Sequence, residues 1–157
     1  GTGMLSTVIA ERCDTLVVTD FSSKMIKRAE KNCSSYDNIT FELADIFALD
    51  YPDNSFDKVI AGNVIHLLDE PLKALAELNR VCRPSGMLII PTYMNRDKQD
   101  KKNKLTDSVG KVGADFKQYF NVVSYLEFFK SAGYIDVKVE LADGKIPCAV
   151  ATMQKLI

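Results

Sequence analysis

Short apolar runs rich in β-branched residues alternate along this chain with stretches whose apolar positions recur every three or four residues. That alternation limits the fold more than any other feature. Thr15-Leu16-Val17-Val18-Thr19 suits a buried strand ending at Asp20. Ser22 or Ser23 can then cap a helix with Met25, Ile26 and Ala29 on one side and Lys24, Lys27, Arg28 and Lys31 toward water. Residues 39–43 alternate as a strand, and the turn Tyr51-Pro52-Asp53-Asn54-Ser55 leads into another over 56–61. Leu72, Leu75, Ala76, Leu78, Val81 and Cys82 keep the helical period, which predicts a helix over 71–82. Pro71 fits its first turn, and Arg83-Pro84-Ser85-Gly86 stops it before a strand over 87–90. Ser124-x-x-Glu127 can form a capping box for a helix carrying Leu126, Phe128 and Phe129 and closed by Gly133. Residues 134–140 and 146–153 then read as an antiparallel hairpin about the Asp143-Gly144 turn. Such βα alternation implies an α/β fold with a mostly parallel sheet, helices on both faces and right-handed crossovers.

A length of 157 residues is enough for one core, so a single domain over 1–157 is expected. The formal net charge of −1 supplies no general attraction to nucleic acid or to an anionic membrane. Cys13, Cys33, Cys82 and Cys148 form no C-x-x-C pair and have one histidine to join them, so they read as structural thiols in a reducing cytoplasm. No apolar run approaches the roughly 20 residues that span a bilayer. The polar run 95–104 reads as a solvated loop within a lid or acceptor-site insertion over 95–120. Its interleaved aspartates and lack of aromatics are unlike a nucleic-acid surface.

Several residues stand out as carriers of chemistry. Gly1-x-Gly3 ahead of an apolar helical stretch lets backbone approach a ligand closely. Asp20 ends a strand some 17 residues after Gly3, where an acidic residue takes ribose hydroxyls in nucleotide-binding α/β folds. The alternative is a helix-capping carboxylate ahead of Ser22. Ser6 stands where a dinucleotide fingerprint needs glycine or alanine, which disfavours a nicotinamide cofactor. Asn63 follows a strand, at the sheet edge where ligands bind, with its backbone as the contact. His66, the one histidine, can line an acceptor pocket or take a proton, or it can merely orient or cap. Tyr93 is a similar pocket candidate.

Taken in order, Gly1-Thr2-Gly3 and Thr19-Asp20-Phe21-Ser22-Ser23-Lys24-Met25 resemble the first two motifs of class I S-adenosylmethionine-dependent methyltransferases. Ala44-Asp45-Ile46, Pro52-Asp53-Asn54-Ser55-Phe56-Asp57, Val64-Ile65-His66-Leu67-Leu68 and Leu78-Asn79-Arg80-Val81-Cys82-Arg83-Pro84-Ser85-Gly86 resemble the remaining landmarks of the methyltransferase type 11 branch. The likeness runs closely from Gly1 to about Tyr93. It implies a Rossmann-like, doubly wound, mostly parallel sheet with an antiparallel C-terminal strand. It also implies S-adenosylmethionine as cofactor: Asp20 on the ribose, Asp45 on the adenine amino group, the Ile46 backbone on a ring nitrogen, and Phe21 and Met25 flanking the adenosine. Core packing is the alternative for Phe21, Met25 and Ile46. Phe116, Tyr119 and Phe120 would cover the acceptor, with core or lid packing as the equal alternative.

The family's first strand and the start of its glycine motif have no counterpart here, so the resemblance implies that this chain alone binds cofactor weakly or not at all. Ser85 also stands where the family's Pro-Gly-Gly turn has a glycine in addition to the one at Gly86. The activity implied is methyl transfer to an O, N or C nucleophile of a small-molecule acceptor, by an enzyme compatible with a homodimer, no metal and no membrane segment. A non-catalytic methyltransferase-like subunit or another nucleotide-binding α/β protein is the alternative.

Overall fold

A computed structural model describes residues 1–94, 116–142 and 147–156. The chain divides into two compact units, Gly1–Asp50 and Tyr51–Ile157. The polar run 95–104 and the Asp143-Gly144 turn lie outside the described residues. So does the insertion expected over 95–120, apart from its last five positions.

The first unit begins with helix α1 (Met4–Ala10) and continues through strand β1 (Leu16–Asp20), helix α2 (Ser23–Asn32) and strand β2 (Ile39–Leu43). β1 and β2 pair in parallel, Leu16 against Ile39 through Asp20 against Leu43. Gly3 has φ +84°, and a Cβ there would come within 2.9 Å of Cys33 Sγ and 3.1 Å of Ala29 Cα. Packing of α1 on α2 therefore already requires glycine at this position. The Asn38 amide donates to the carbonyls of Ala10 and Cys13, both at 2.9 Å, and holds the α1–β1 connection to the start of β2. Ser22 is the N-cap of α2, but its side chain makes no cap hydrogen bond; its backbone N–H instead donates to Asp20 Oδ1 at 2.8 Å.

In the second unit, β3 (Phe56–Ile60) is followed by a 3₁₀ turn (Ile65–Leu67), helix α3 (Pro71–Val81) and the long strand β4 (Cys82–Tyr93). Helix α4 (Val122–Ser131) and strands β5 (Lys138–Ala142) and β6 (Cys148–Gln154) complete it. The sheet order is β3-β4-β6-β5, with β3 and β4 parallel and β6 antiparallel to both of its neighbours. The α/β, Rossmann-like class holds. Strands β3, β4 and β5 run one way and only the C-terminal β6 runs against them, which with the parallel β1–β2 pair is the mostly parallel arrangement with an antiparallel last strand that was expected.

The buried face of this sheet carries Leu88 and Ile90 of β4 and Ala149 and Ala151 of β6, all fully buried, with Leu75 and Leu78 of α3 and Tyr125 and Phe129 of α4 also in the core. Tyr125 Oη donates to the Ile90 carbonyl, tying α4 to β4. The capping box of α4 is formed by Asn121 and Ser124, whose side chains each accept from the other's backbone N–H, rather than by Ser124 and Glu127. The helix starts three residues earlier than that pattern requires. Gly133, with φ +96°, ends it as expected.

Arg83-Pro84-Ser85-Gly86 does more than end α3. Phe56 faces Cys82, yet Lys58 faces Met87, so the four residues form an outward excursion opposite Asp57, to which Arg83 is ion-paired. Ser85 takes φ +63°. A Cβ on Gly86 would meet Cys82 Sγ at 2.7 Å and the carbonyls of Arg83 and Asp57 at 2.8 and 2.9 Å. The single glycine thus sits where no side chain fits, and Ser85 carries the left-handed strain. Gly86→Ala is expected to lower the unfolding free energy by about 1–3 kcal/mol. Ser85→Gly is expected to raise it by less than about 1 kcal/mol, strain relief being partly offset by the freer unfolded chain. Urea midpoints check both; the opposite order would contradict this reading of the turn.

Candidate functional site

The first unit gathers its candidate residues at the carboxyl edge of β1 and β2, the edge at which ligands bind in open α/β sheets. Asp20 is the last residue of β1, and its carbonyl accepts the Ala44 N–H at 3.1 Å, which brings Asp45 to the same edge. The Asp20 carboxylate is partly buried: one oxygen accepts the Ser22 N–H and the other is paired with the Gly1 amine. The Ser22 contact is an Asx-type turn leading into α2, so Asp20 orders the approach to the helix without capping its first turn. Asp45 Oδ1 accepts from the Phe47 N–H at 2.9 Å, a turn that holds the Ala44–Ile46 segment in place.

Phe21 is 79% exposed and Met25 is 38% exposed, so core packing does not account for either. Both leave apolar surface uncovered within a few residues of Asp20. Ile46 is half-buried. Gly1 has open space around it, whereas the tight surroundings of Gly3 belong to helix packing.

In the second unit, the parallel β3–β4 pair extends past β3 through two hydrogen bonds, Ala61 N–H to the Ile89 carbonyl at 3.1 Å and Asn63 N–H to the Pro91 carbonyl at 2.9 Å. Asn63 has φ +54°, a left-handed conformation that asparagine tolerates better than most residues. With its N–H engaged by Pro91, the backbone contact expected of Asn63 is left to its carbonyl. The Asn63 Oδ1 atom is buried without a hydrogen-bond partner.

Three residues on, His66 sits in the 3₁₀ turn and is 1% exposed. Its carbonyl accepts the amides of Lys117 and Gln118, each at 3.0 Å, which fixes the segment carrying Phe116 over the imidazole. The Phe116 ring stacks on it at 4.7 Å and Tyr93 lies beside it at 5.5 Å. Tyr119 stacks on Phe116 at 6.0 Å and is 43% exposed. His66 Nδ1 is buried without a partner. Burial lowers the imidazole pKa to about 4, so the ring is neutral at pH 7 and a weak base there.

For Phe120 the packing alternative holds: it is buried against Tyr125 at 5.1 Å and Phe128 at 5.5 Å and belongs to the core. Thr92 was not singled out from the sequence, yet its Oγ1 is also buried without a partner. Inside the apolar run Leu88-Ile89-Ile90-Pro91-Thr92-Tyr93 nothing marks it.

A histidine buried in its neutral form destabilises the fold once it must be protonated. Its folded pKa lies below the unfolded value near 6.5, so its contribution is complete above that pH and is lost as pH falls toward 4. Between pH 6.5 and 5, the unmodified protein is expected to lose up to about 2 kcal/mol that a His66→Phe variant keeps. Denaturation midpoints across that window check it; parallel curves would contradict the buried neutral ring.

Comparison with known proteins agrees with this layout. Residues 1–90 match the sequence profile of the methyltransferase domain family. The demethylmenaquinone methyltransferase of Renibacterium salmoninarum is 37% identical over 93 residues, covering 59% of this chain and 38% of that protein. The chain thus spans well under half the length of that relative. A methyltransferase structure from Bacillus halodurans superposes with a TM-score of 0.80 at 12% identity, covering all of this chain and 90% of that one. The N-methyltransferase NodS of Bradyrhizobium japonicum, solved with S-adenosylhomocysteine, gives 0.74 at 15% identity over 99% of this chain and 74% of its own. Family match and fold agree, and the chain belongs to the methyltransferase domain family, on the scaffold of the S-adenosylmethionine-dependent methyltransferases.

Proposed function

We propose that this chain binds S-adenosylmethionine and serves the transfer of its methyl group to an O, N or C nucleophile of a small-molecule acceptor, leaving S-adenosylhomocysteine, in a reducing cytoplasm that suits its four free thiols. The observation that carries the reading is the pair of uncovered apolar side chains, Phe21 and Met25, beside the strand-end carboxylate of Asp20. Those residues fit the cofactor: an apolar rim suits a flat base, and a carboxylate accepts from two ribose hydroxyls. In this reading Asp20 holds the ribose, Phe21 and Met25 flank the adenosine, Asp45 takes the adenine amino group, and the Ile46 backbone takes a ring nitrogen. Gly1 and Gly3 give the backbone close approach.

When bound, the cofactor supplies an electrophilic methyl group on a sulfonium. The chain's own contribution is placement. The Ser22 N–H on Asp20 Oδ1 and the Phe47 N–H on Asp45 Oδ1 fix both carboxylates before any ligand arrives, which lowers the ordering cost of binding. His66, buried and neutral, acts as a wall of the acceptor pocket with Tyr93, Phe116 and Tyr119 rather than as a strong proton acceptor. Alignment of nucleophile and methyl group then carries the rate enhancement. The Renibacterium relative is named for a quinone acceptor, and a quinol-like molecule is the acceptor class to try first.

Calorimetric titration with S-adenosylhomocysteine tests the reading. Binding is expected, with Phe21→Ala weakening it about tenfold, or ~1.4 kcal/mol, while the unliganded stability stays within about 0.5 kcal/mol because the ring is exposed. No binding, or equal binding by the variant, would contradict the assignment.

A further inference from the structure

Buried polar atoms without partners are scarce in folded proteins, and each costs about 1–3 kcal/mol if nothing satisfies it. Among the described residues three side-chain atoms are in that state, and two of them, Asn63 Oδ1 and His66 Nδ1, come from one turn at the end of β3. The third, Thr92 Oγ1, lies within β4 at a position paired with Ala149. The turn bearing the first two is held rigidly. Asn63 is pinned to Pro91 through its N–H, and the His66 carbonyl holds two amides of the 116–118 segment. Such anchoring preserves the two atoms' positions without using either.

We propose that the Asn63–His66 turn recognises a hydroxyl group on an apolar, ring-bearing acceptor, with His66 as a positioning residue; this rests on the methyl-transfer reading above. An amide oxygen can only accept, so Asn63 Oδ1 requires a donor from the ligand. A neutral imidazole nitrogen is a donor in one tautomer and an acceptor in the other. A hydroxyl both donates and accepts, and so satisfies the pair when Nδ1 carries the ring proton: its O–H goes to Asn63 Oδ1 and its lone pair takes the Nδ1–H. A carboxylate offers no proton to Asn63, and neither side chain brings it a positive charge. An ammonium would lose its water with no carboxylate supplied by the pair. The surroundings suit the rest of such a molecule. Tyr93 and Phe116 set their rings beside the His66 imidazole, and Tyr119 stacks on Phe116 in turn.

Because His66 is the one histidine in the chain, its ring nitrogens can be observed in isolation. Protein labelled with ¹⁵N-histidine is titrated with phenol, anisole and benzoate at pH 7, and the Nδ1 resonance is followed. Phenol is expected to move it in a saturable manner, with anisole and benzoate at least about tenfold weaker. Asn63→Gly, which tolerates the positive φ and removes the amide oxygen, is expected to abolish the phenol response while the folded spectrum persists. Equal responses to phenol and anisole, no response to phenol, or an unchanged response in Asn63→Gly would each overturn the proposal. S-adenosylhomocysteine titrated into the same sample separates the two readings. A phenol response without nucleoside binding sinks the methyl-transfer reading and leaves the hydroxyl site standing; nucleoside binding without a phenol response does the reverse.

Discussion

Parallel pairing of β3 with β4 is the constraint on which the second unit's candidate site depends. Two parallel strands end at the same edge, and here the ladder continues beyond β3 through Ala61 and Asn63 to Ile89 and Pro91. That continuation forces Asn63 into a left-handed conformation and delivers the 3₁₀ turn with His66 beside Tyr93, the last residue of β4. The same register passes the Arg83–Gly86 excursion, which absorbs the mismatch between the end of α3 and the first regular pairs of β4. Shifting β4 by one residue would turn Leu88, Ile90 and Thr92 to the opposite face and take the Tyr125–Ile90 hydrogen bond with them.

The first unit solves the same problem with fewer parts. Asp20 and Leu43 are register partners, and the hydrogen bond from Ala44 to Asp20 carries the pairing one residue further, so two carboxylates arrive at one edge on independent turns. What distinguishes this edge from ordinary surface is the exposure of a phenylalanine where water contact is unfavourable. Burying the Phe21 ring under a ligand releases that cost, worth roughly 1.5–3 kcal/mol for a side chain of this size.

Much of this was legible in the sequence because periodicity and turn chemistry act locally. The strand over 39–43 and the helix beginning at Pro71 stand as the pattern indicates, and the family landmarks fall on the two sheet edges. Other features depended on distant partners. The Asn121–Ser124 box displaced the Ser124–Glu127 pattern because the chain entering α4 also forms the Met94–Phe120 bridge, fixing the helix start by tertiary contact. Phe120 and Phe116 look alike in sequence, yet one lies in the core and the other on the imidazole; four residues of spacing cannot say which neighbour each will find. The missing partner of His66 Nδ1 is likewise a fact of three-dimensional surroundings, not of residue type.

Assigned backbone amide spectra during titration with S-adenosylhomocysteine test most directly the claim that nucleoside binds at the carboxyl edge of β1 and β2. Saturable shifts concentrated in residues 20–25 and 43–48 are the expected result, reporting contact with the Asp20, Phe21, Met25 and Asp45 group. Binding that leaves those amides unmoved, or no binding at all, would contradict it.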